Sequence, residues 1–208
     1  MHSSSKRSFL AALGFLAAAL FAMAPATAAS PAEQYVTDSV QKAMGILNNT
    51  SLSKEQKKAQ FQDFLLGLTD IQAIGRYTLG QYRRSASPED LASFDAAFKE
   101  YALAVYQSYF AKYSGQALKV TGSTTLSSPD DVMVKTVTVD PKKPGAKAYE
   151  VNFRVQAANG RHIVVDFSVE GVWIREMERS DFTSYLGQKN GDVKALTAML
   201  KQKAAQQK

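Results

Sequence analysis

Two hydrophobic periods divide the chain into a helical half and a strand half. From residue 30 to 115, apolar residues recur at a spacing of three or four, which is typical of amphipathic helices. Four helices are predicted there, because a residue that commonly caps helix N termini precedes each apolar stripe; the four are Ser30, Ser53, Asp70 and Ser87. The longest helix is expected to begin at Pro88, run to Tyr113 and stop before Gly115.

From residue 117 onward the period changes to two, which predicts strands over 117–125, 132–139, 149–156 and 162–170. Alternation in the third strand gives one apolar face formed by Tyr149, Val151, Phe153 and Val155. In the fourth strand, the same reasoning assigns Ile163, Val165, Phe167 and Val169 to the apolar face, and His162 and Asp166 to the polar face. Such a meander has one apolar face that must be covered, and the helices are the available cover.

The C-terminal segment is expected to be helical again after Gly171. One helix is predicted to begin near Ser180 or Asp181 and another at Asp192, with fraying from Lys201 to Lys208. The fold class is therefore α+β, in a single domain over residues 30–208. It consists of a helical half (30–115), an antiparallel sheet of about four strands (117–170) and C-terminal helices (172–204).

Residues 1–29 have the three parts of a secretory signal peptide. Lys6 and Arg7 precede an apolar run of about 15 residues, and the small residues 26–28 form the cleavage site. Because a membrane-spanning helix needs roughly 20 apolar residues, cleavage near Ala28 or Ala29 is expected rather than anchoring. The mature chain is then exported to the periplasm, where ATP and most nicotinamide cofactors are absent.

Composition narrows the chemistry further. The chain has no cysteine, and His162 is the one histidine that remains after cleavage, so Cys-based and His-rich metal sites are excluded. We expect no cofactor and no catalytic role for His162, which falls on the polar face. Basic residues occur at most in pairs, and removal of Lys6 and Arg7 lowers the formal net charge from +6 to +4. This mild, scattered charge argues against nucleic-acid binding.

Several motifs in a fixed order resemble one protein family. They are the segment 77–89, Phe94 with Phe98 and Tyr101, the segment 165–172, and the segment 179–182. Together they are similar to the MlaC family, also called the toluene-tolerance auxiliary family, over nearly the whole mature chain. The sequence departs from the family at two positions: Tyr82 stands where many members have Trp, and Trp173 where a small Ser is usual.

The resemblance implies a monomeric periplasmic shuttle for phospholipids rather than an enzyme. Members have a twisted antiparallel sheet against helices and hold acyl chains in an apolar cavity between the two. They pass lipid between an outer-membrane lipoprotein–porin complex and an inner-membrane ABC transporter that carries an MCE-domain ring, and thereby serve outer-membrane lipid asymmetry.

The aromatic content suits such a cavity, since 21 aromatic residues are more than a small meander needs for cover. The predicted lipid-binding residues on the helices are Tyr77, Tyr82, Phe98, Tyr101 and Val105. Those on the sheet side are Val134, Val151, Phe153, Val165, Phe167, Val169 and, at the exit, Val172. Arg83 and Arg84 are predicted to attract the headgroup phosphate or a partner protein.

Three alternatives remain open at this stage. In the first, the cavity binds a hopanoid or another polycyclic lipid instead of a phospholipid, because a branch of the family is associated with hopanoids. The chain is an enzyme that resembles ketosteroid isomerase, with Asp166 as a carboxylate of raised pKa. Or it is a non-catalytic periplasmic interaction module with a filled core and exposed patches.

Overall fold

A computed structural model of the protein describes residues 28–111, 115–158 and 160–207, without the side chains of residues 106–111 and 158. The predicted signal peptide, apart from its last two residues, lies outside the described residues. The elements in chain order are α1 (Pro31–Asn48), α2 (Lys54–Leu68), α3 (Ile71–Thr78), a 3-10 helix (Gly80–Arg84), α4 (Pro88–Ala111), β1 (Ala117–Ser128), β2 (Asp131–Val139), β3 (Glu150–Ala158), β4 (Arg161–Val169), β5 (Val172–Trp173), α5 (Ile174–Gln188) and α6 (Val193–Gln206).

Local hydrogen bonds explain where the N-terminal helices begin. The backbone N–H of Glu33 donates to Ser30 Oγ at 3.2 Å, and the Ser30 N–H donates to the Glu33 carboxylate at 3.2 Å. Ser53 and Gln56 form the same reciprocal capping box at the start of α2. These pairs satisfy N–H groups that have no partner within the helix, so the predicted helix starts are confirmed.

The sheet is a meander in the order β1-β2-β3-β4-β5, and every neighbouring pair is antiparallel. The fifth strand was not predicted, because the chain was expected to turn helical directly after Gly171. Instead Glu170 (φ 48°) and Gly171 (φ 82°) form a tight turn in the left-handed region. Two such residues match the twist of a two-residue hairpin, so Val172 returns to pair with Val169.

A β-bulge in β4 changes which residues share a face. Arg154 pairs with Asp166 but Val155 pairs with Val164, so Val165 is an extra residue on β4. The alternation predicted for β4 is therefore wrong on one side of Val165. Ile163 lies opposite Gln156 on the polar side of the sheet.

His162, on the same side of the bulge, lies opposite Ala157, and its ring stacks on Tyr35 of α1 at 5.6 Å between centroids. It was predicted to lie on the polar face. The bulge instead gives it the face that α1 covers.

Apolar residues form two separate cores. The helical core joins α4, α5, α6 and the end of α3; its buried members are Leu79, Phe94, Ala97, Phe98, Ala102, Phe182, Leu186, Val193, Leu196 and Leu200. The sheet core joins α1 to the sheet; its buried members are Ala32, Val36, Val134, Val155 and Val164. The α+β fold class is confirmed, and the covering of the sheet is shared unequally, with α1 packed directly on it.

The C-terminal helices differ from prediction at both of their ends. α5 begins at Ile174, six residues before Ser180, and its N-terminal N–H groups have no side-chain cap from Trp173. The carboxylate of Asp166 on β4 replaces that cap, since its Oδ1 accepts a hydrogen bond from the Arg175 N–H at 2.9 Å. α6 continues to Gln206 with Ala204 buried, so the predicted fraying after Lys201 is wrong for most of the tail.

Within the described part of the chain, no helix combines the length and the apolar character needed to cross a membrane.

Candidate functional site

The sheet gathers six of the predicted site residues onto one face. Strand register places Val134 opposite Phe153 and Phe153 opposite Phe167, and it places Val151 opposite Val169 and Val169 opposite Val172. Directly opposed residues, and residues two apart in a strand, lie on the same side of a sheet. We call this side the apolar face; its members are Val132, Val134, Val151, Phe153, Val155, Val164, Phe167, Val169 and Val172.

Exposure along the apolar face is graded. Val134 is fully buried and Val155 nearly so, because α1 packs over them. At the other end, Val169 is 39% exposed and Val172 is 50% exposed. The face therefore has a closed end under α1 and an open end where β3 begins and β4 ends. About 20 Å separates the two ends, at roughly 3.3 Å per strand residue from Val155 to Tyr149.

Val165 is not a member of the apolar face. As the extra residue of the bulge it has no directly opposed partner, and it is buried. Its predicted contact with lipid stays a prediction.

Three of the predicted helical residues pack in the helical core. Phe98 is 2% exposed, and its ring lies against Phe94, Tyr101 and Phe182. A Cβ on Gly75 would lie only 2.6 Å from Phe98 Cδ1, which shows how closely α3 and α4 approach. Packing alone thus accounts for Phe98, and little of its surface is left for a ligand.

The other two, Tyr82 and Tyr101, are partly buried beside the same core. A Cβ on Gly191 would lie 3.2 Å from Tyr82 Cδ1, so Tyr82 packs beside the C-terminal end of α5. Val105 is half-buried on α4, just before the residues whose side chains are not described. For all of these residues, lipid contact stays a prediction.

The Tyr77 ring contacts two arginines that the sequence analysis did not single out. The guanidinium carbons of Arg175 and Arg179 lie 4.1 and 4.5 Å from the Tyr77 ring centroid, and the Tyr77 hydroxyl donates to Glu176 at 2.6 Å. The two arginines are four residues apart, and this spacing predicts that they lie on the same side of a helix. It was missed because α5 was predicted to begin only at Ser180.

Arg83 and Arg84 are exposed on the 3-10 helix. Their neighbour Tyr82 packs at the C-terminal end of α5, whereas Val172 precedes the first residue of that helix. A helix of this length spans roughly 20 Å, so the pair lies about that far from the open end of the apolar face. Their predicted contact with a headgroup or a partner is not tested by this placement.

The opposite side of the sheet is polar and carries charged side chains that pair with one another or with backbone N–H groups. Arg154 donates two hydrogen bonds to Asp131, at 2.8 and 2.6 Å, and thereby lowers the pKa of Asp131 to about 2. Asp166 lies opposite Arg154, as the alternation predicted. Burial raises the pKa of Asp166, although its Oδ1 accepts N–H bonds from Phe167 and Arg175.

A second carboxylate of raised pKa, on the partly buried Glu178, was not noticed in the sequence. Burial, together with the nearby carboxylates of Asp166 and Asp181, raises the pKa of Glu178 on α5 to about 7. Both Asp166 and Glu178 have the raised pKa that the enzyme alternative requires. Asp166, however, caps α5 from the polar side of the sheet, so a structural role accounts for it.

Two grooves border α1. One of about 520 Å³ lies between α1 and α2 and is lined by Tyr35, Asp38, Lys42, Phe64 and Leu68 among others. The other, of about 370 Å³, lies between the start of α1 and strands β1 to β4, and it reaches Val132 and Val155 of the apolar face. Neither groove is lined by Phe98, Tyr101 or Val105 of α4. The predicted cavity between these helical residues and the sheet stays a prediction.

Comparison with known proteins bears on the family and the fold. The family model described as "MlaC protein" matches residues 37–202. A solved structure, at 1.53 Å resolution, of a phospholipid-binding protein from Ralstonia solanacearum in complex with a phospholipid is similar to this chain, with a TM-score of 0.73 and 20% sequence identity. The match covers 86% of this chain and 99% of that one, so the two share a fold over almost their whole length.

Proposed function

Because this chain belongs to the MlaC family, we propose that it is a non-catalytic lipid carrier that holds phospholipid acyl chains against the apolar face of its sheet. The observation that carries the proposal is the graded exposure of that face. An apolar surface that α1 covers at one end and that is exposed at the other suits a chain that inserts lengthwise. The similar protein from Ralstonia solanacearum, which binds a phospholipid, supports the same ligand class.

Magnitudes support burial of acyl chains as the source of affinity. Each CH₂ group removed from water contributes about 0.8 kcal/mol, so two chains of about 16 carbons give a gross gain on the order of 25 kcal/mol. Ordering of the lipid and of the protein opposes most of this gain. The apolar face is about 20 Å long, and one leaflet of a bilayer has about 15 Å of hydrocarbon. The length of the face therefore matches the length of an extended acyl chain.

We propose further that the protein works in the periplasm and shuttles lipid between membrane complexes. The family membership supports this setting, together with the signal-peptide pattern of residues 1–29. The partners are then an inner-membrane ABC transporter with an MCE-domain ring and an outer-membrane lipoprotein–porin complex.

The first test is native mass spectrometry of the protein purified from the periplasm, followed by lipid extraction. A bound mass that matches a diacyl phospholipid is the expected result. A hopanoid-sized mass would show that the ligand is a polycyclic lipid and not a phospholipid. A clean apo mass that stays unchanged after incubation with lipid vesicles would overturn the carrier and favour the interaction module.

The second test locates the site with a matched pair of variants. Val169→Asp puts a charge on the apolar face, whereas Val139→Asp puts one on the opposite side of the same end of the sheet. Val169 and Val139 are 39% and 37% exposed, so the two substitutions cost similar stability. We expect Val169→Asp to lose most of its bound lipid, because a buried carboxylate beside acyl chains is strongly unfavourable, and Val139→Asp to keep it. Equal lipid loads in the two folded variants would show that the site is placed wrongly.

A further inference from the structure

On β3 and β4, only part of the apolar face is left uncovered. On β3, Val155 is 1% exposed, whereas Phe153, two residues nearer the open end, is only partly buried. On β4, Val164 is buried and Phe167, directly opposite Phe153, is again partly buried. Complete cover on these two strands therefore ends before the row formed by Phe153 and Phe167. From this row to Tyr149 the face is about 13 Å long, at roughly 3.3 Å per residue.

Helix α1 supplies the side chain that closes this stretch. Val36 is 2% exposed and belongs to the same buried cluster as Val134, Val155 and Val164. We call this cluster of four valines the stop. Phe153 packs against it and lies two residues nearer the open end than Val155. An acyl chain that enters at the open end and follows β3 and β4 therefore meets the stop once it has passed Phe153.

Contacts on α1 hold Val36 against the sheet. At the start of the helix, the hydroxyls of Ser30 and of Ser123 on β1 form a hydrogen bond of 3.3 Å. Directly before Val36, the Tyr35 ring stacks on His162 of β4, with 5.6 Å between the ring centroids. The helix is therefore tied to two different strands close to Val36. A chain end that reaches the stop meets a helix that is fixed in place.

The space beyond the stop offers an acyl chain little. The groove of about 370 Å³ at the start of α1 reaches Val132 and Val155, but Asp130 and His162 line it as well. Asp130 is exposed, and a terminal methyl group beside a solvated carboxylate stays in contact with water. Transfer of a CH₂ group is favourable only where water is excluded. The stop, and not this groove, is therefore the favourable end point for the chain.

We propose that the stop sets the length of the acyl chains that the carrier accepts, and that Val36 is its specificity-determining residue. The proposal rests on the carrier function and specifies the ligand further. The uncovered stretch of about 13 Å is close to the hydrocarbon thickness of one bilayer leaflet, about 15 Å. The chain of an ordinary membrane lipid therefore just reaches the stop.

Longer chains are disfavoured because their extra CH₂ groups stay in water at the open end. Each CH₂ group left in water costs about fourfold in the partition between bilayer and protein. A chain that is too long by two such groups is then disfavoured about 15-fold. The carrier should therefore select phospholipids by chain length, with an upper limit that the size of the side chain at Val36 sets.

The test compares which lipid each variant takes from a mixture. The mature protein is incubated with vesicles that contain dimyristoyl, dipalmitoyl and distearoyl phosphatidylglycerol in equal amounts, and native mass spectrometry identifies the bound lipid by its mass. Val36→Ala removes two methyl groups from the stop, so the bound lipid should shift towards the distearoyl form by about tenfold. Val36→Ile adds one carbon and should shift it towards the dimyristoyl form by about fourfold.

Val193→Ala is the matched control for Val36→Ala. Val193 on α6 is 4% exposed and belongs to the helical core, so the substitution removes the same atoms from an equally buried position. We expect this variant to lose a similar amount of stability and to take the lipids in the proportions of the parent. Thermal melting of each variant confirms that it is folded.

Three outcomes overturn the proposal. If the parent and both Val36 variants bind the lipids in the same proportions, α1 does not limit chain length. If Val193→Ala shifts the proportions as much as Val36→Ala does, chain selection follows overall stability. Both results leave the carrier function intact, because lipid is bound. If neither the parent nor any variant carries lipid, the carrier function itself fails, and the proposal fails with it.

Discussion

The helical core and the apolar face are built from similar residues but differ in how they end. The helical core is closed on every side that the structure describes, and its large members are almost fully buried. The apolar face passes from complete burial at Val134 to half exposure at Val172. Aromatic and aliphatic content alone therefore does not distinguish a core from a candidate binding site, whereas the exposed fraction of the side chains does.

From this difference we infer separate tasks for the two regions. A closed core gains its full burial energy in the absence of a ligand, so it stabilises the fold. An open apolar face leaves part of that energy available to whatever covers it. We therefore expect substitutions in the helical core to lower stability and substitutions on the apolar face to lower lipid load.

The largest effect tests this division with the same substitution in both regions. Phe98→Ala should lower the free energy of unfolding by about 3 to 5 kcal/mol, because Phe98 is fully packed. Phe167→Ala should cost less than half of that, since Phe167 is only partly buried. Urea denaturation gives the stabilities, and lipid extraction from the folded protein gives the load. If Phe98→Ala lost lipid while staying stable, Phe98 would line the cavity, as the sequence analysis predicted.

The next-largest effect on stability is expected from the carboxylate of Glu178 on α5. Folded Glu178 has a pKa of about 7, raised from the ordinary 4.5, so the folded state binds more protons than the unfolded state between these values. Stability is therefore highest when Glu178 is protonated and falls as the pH rises from about 4.5 to 7. Glu178→Gln should add about 1 to 3 kcal/mol at pH 8 and little at pH 4.5.

Denaturation curves at several pH values check this expectation. The exposed Glu100 offers a matched control, because Glu100→Gln changes charge in the same way on the surface of α4. An equal gain at pH 4.5 and pH 8 would mean that the effect of Glu178→Gln is not electrostatic. The ionised carboxylate of Glu178 would then not destabilise α5.

The smallest effect concerns the closed end of the apolar face. Ser30 caps α1, the helix that seals this end. Ser30→Ala should lower stability by about 1 kcal/mol, because the Glu33 N–H loses its acceptor. Hydrogen exchange should show faster opening at the start of α1, and Ser30→Asp should restore protection. Exchange that quickens equally in α6 would show that the closed end and the helical core unfold as one unit.

Local chemistry made much of the fold predictable. The caps at Ser30, Ser53, Asp70 and Asp192 act on N–H groups two or three residues away, so a short stretch of sequence contains both partners. Alternation in β3 was also read correctly, because an uninterrupted strand has a strict period of two. The candidate site was predictable to the same extent: the sheet-side residues, apart from Val165, lie on one face.

The remaining features depend on partners that are distant in sequence. The start of α5 was missed because its cap comes from Asp166, nine residues before Arg175 and on another element. The bulge at Val165 is a property of how β4 pairs with β3. Within β4 its one sign is Val164, an apolar residue where strict alternation calls for a polar one. The aromatic residues of α4 could be assigned to a core or to a cavity only once their neighbours were known.

By itself, the sequence determined where most elements begin, which residues of β3 share a face, and which family the chain belongs to. The tertiary structure decided that Phe98 packs in a closed core, that Glu178 is partly buried among other carboxylates, and that Val169 and Val172 stay open to solvent. The physical reason is the range of the interactions. Caps and alternation are set by bonds within a few residues, whereas burial depends on which distant segments complete the cover.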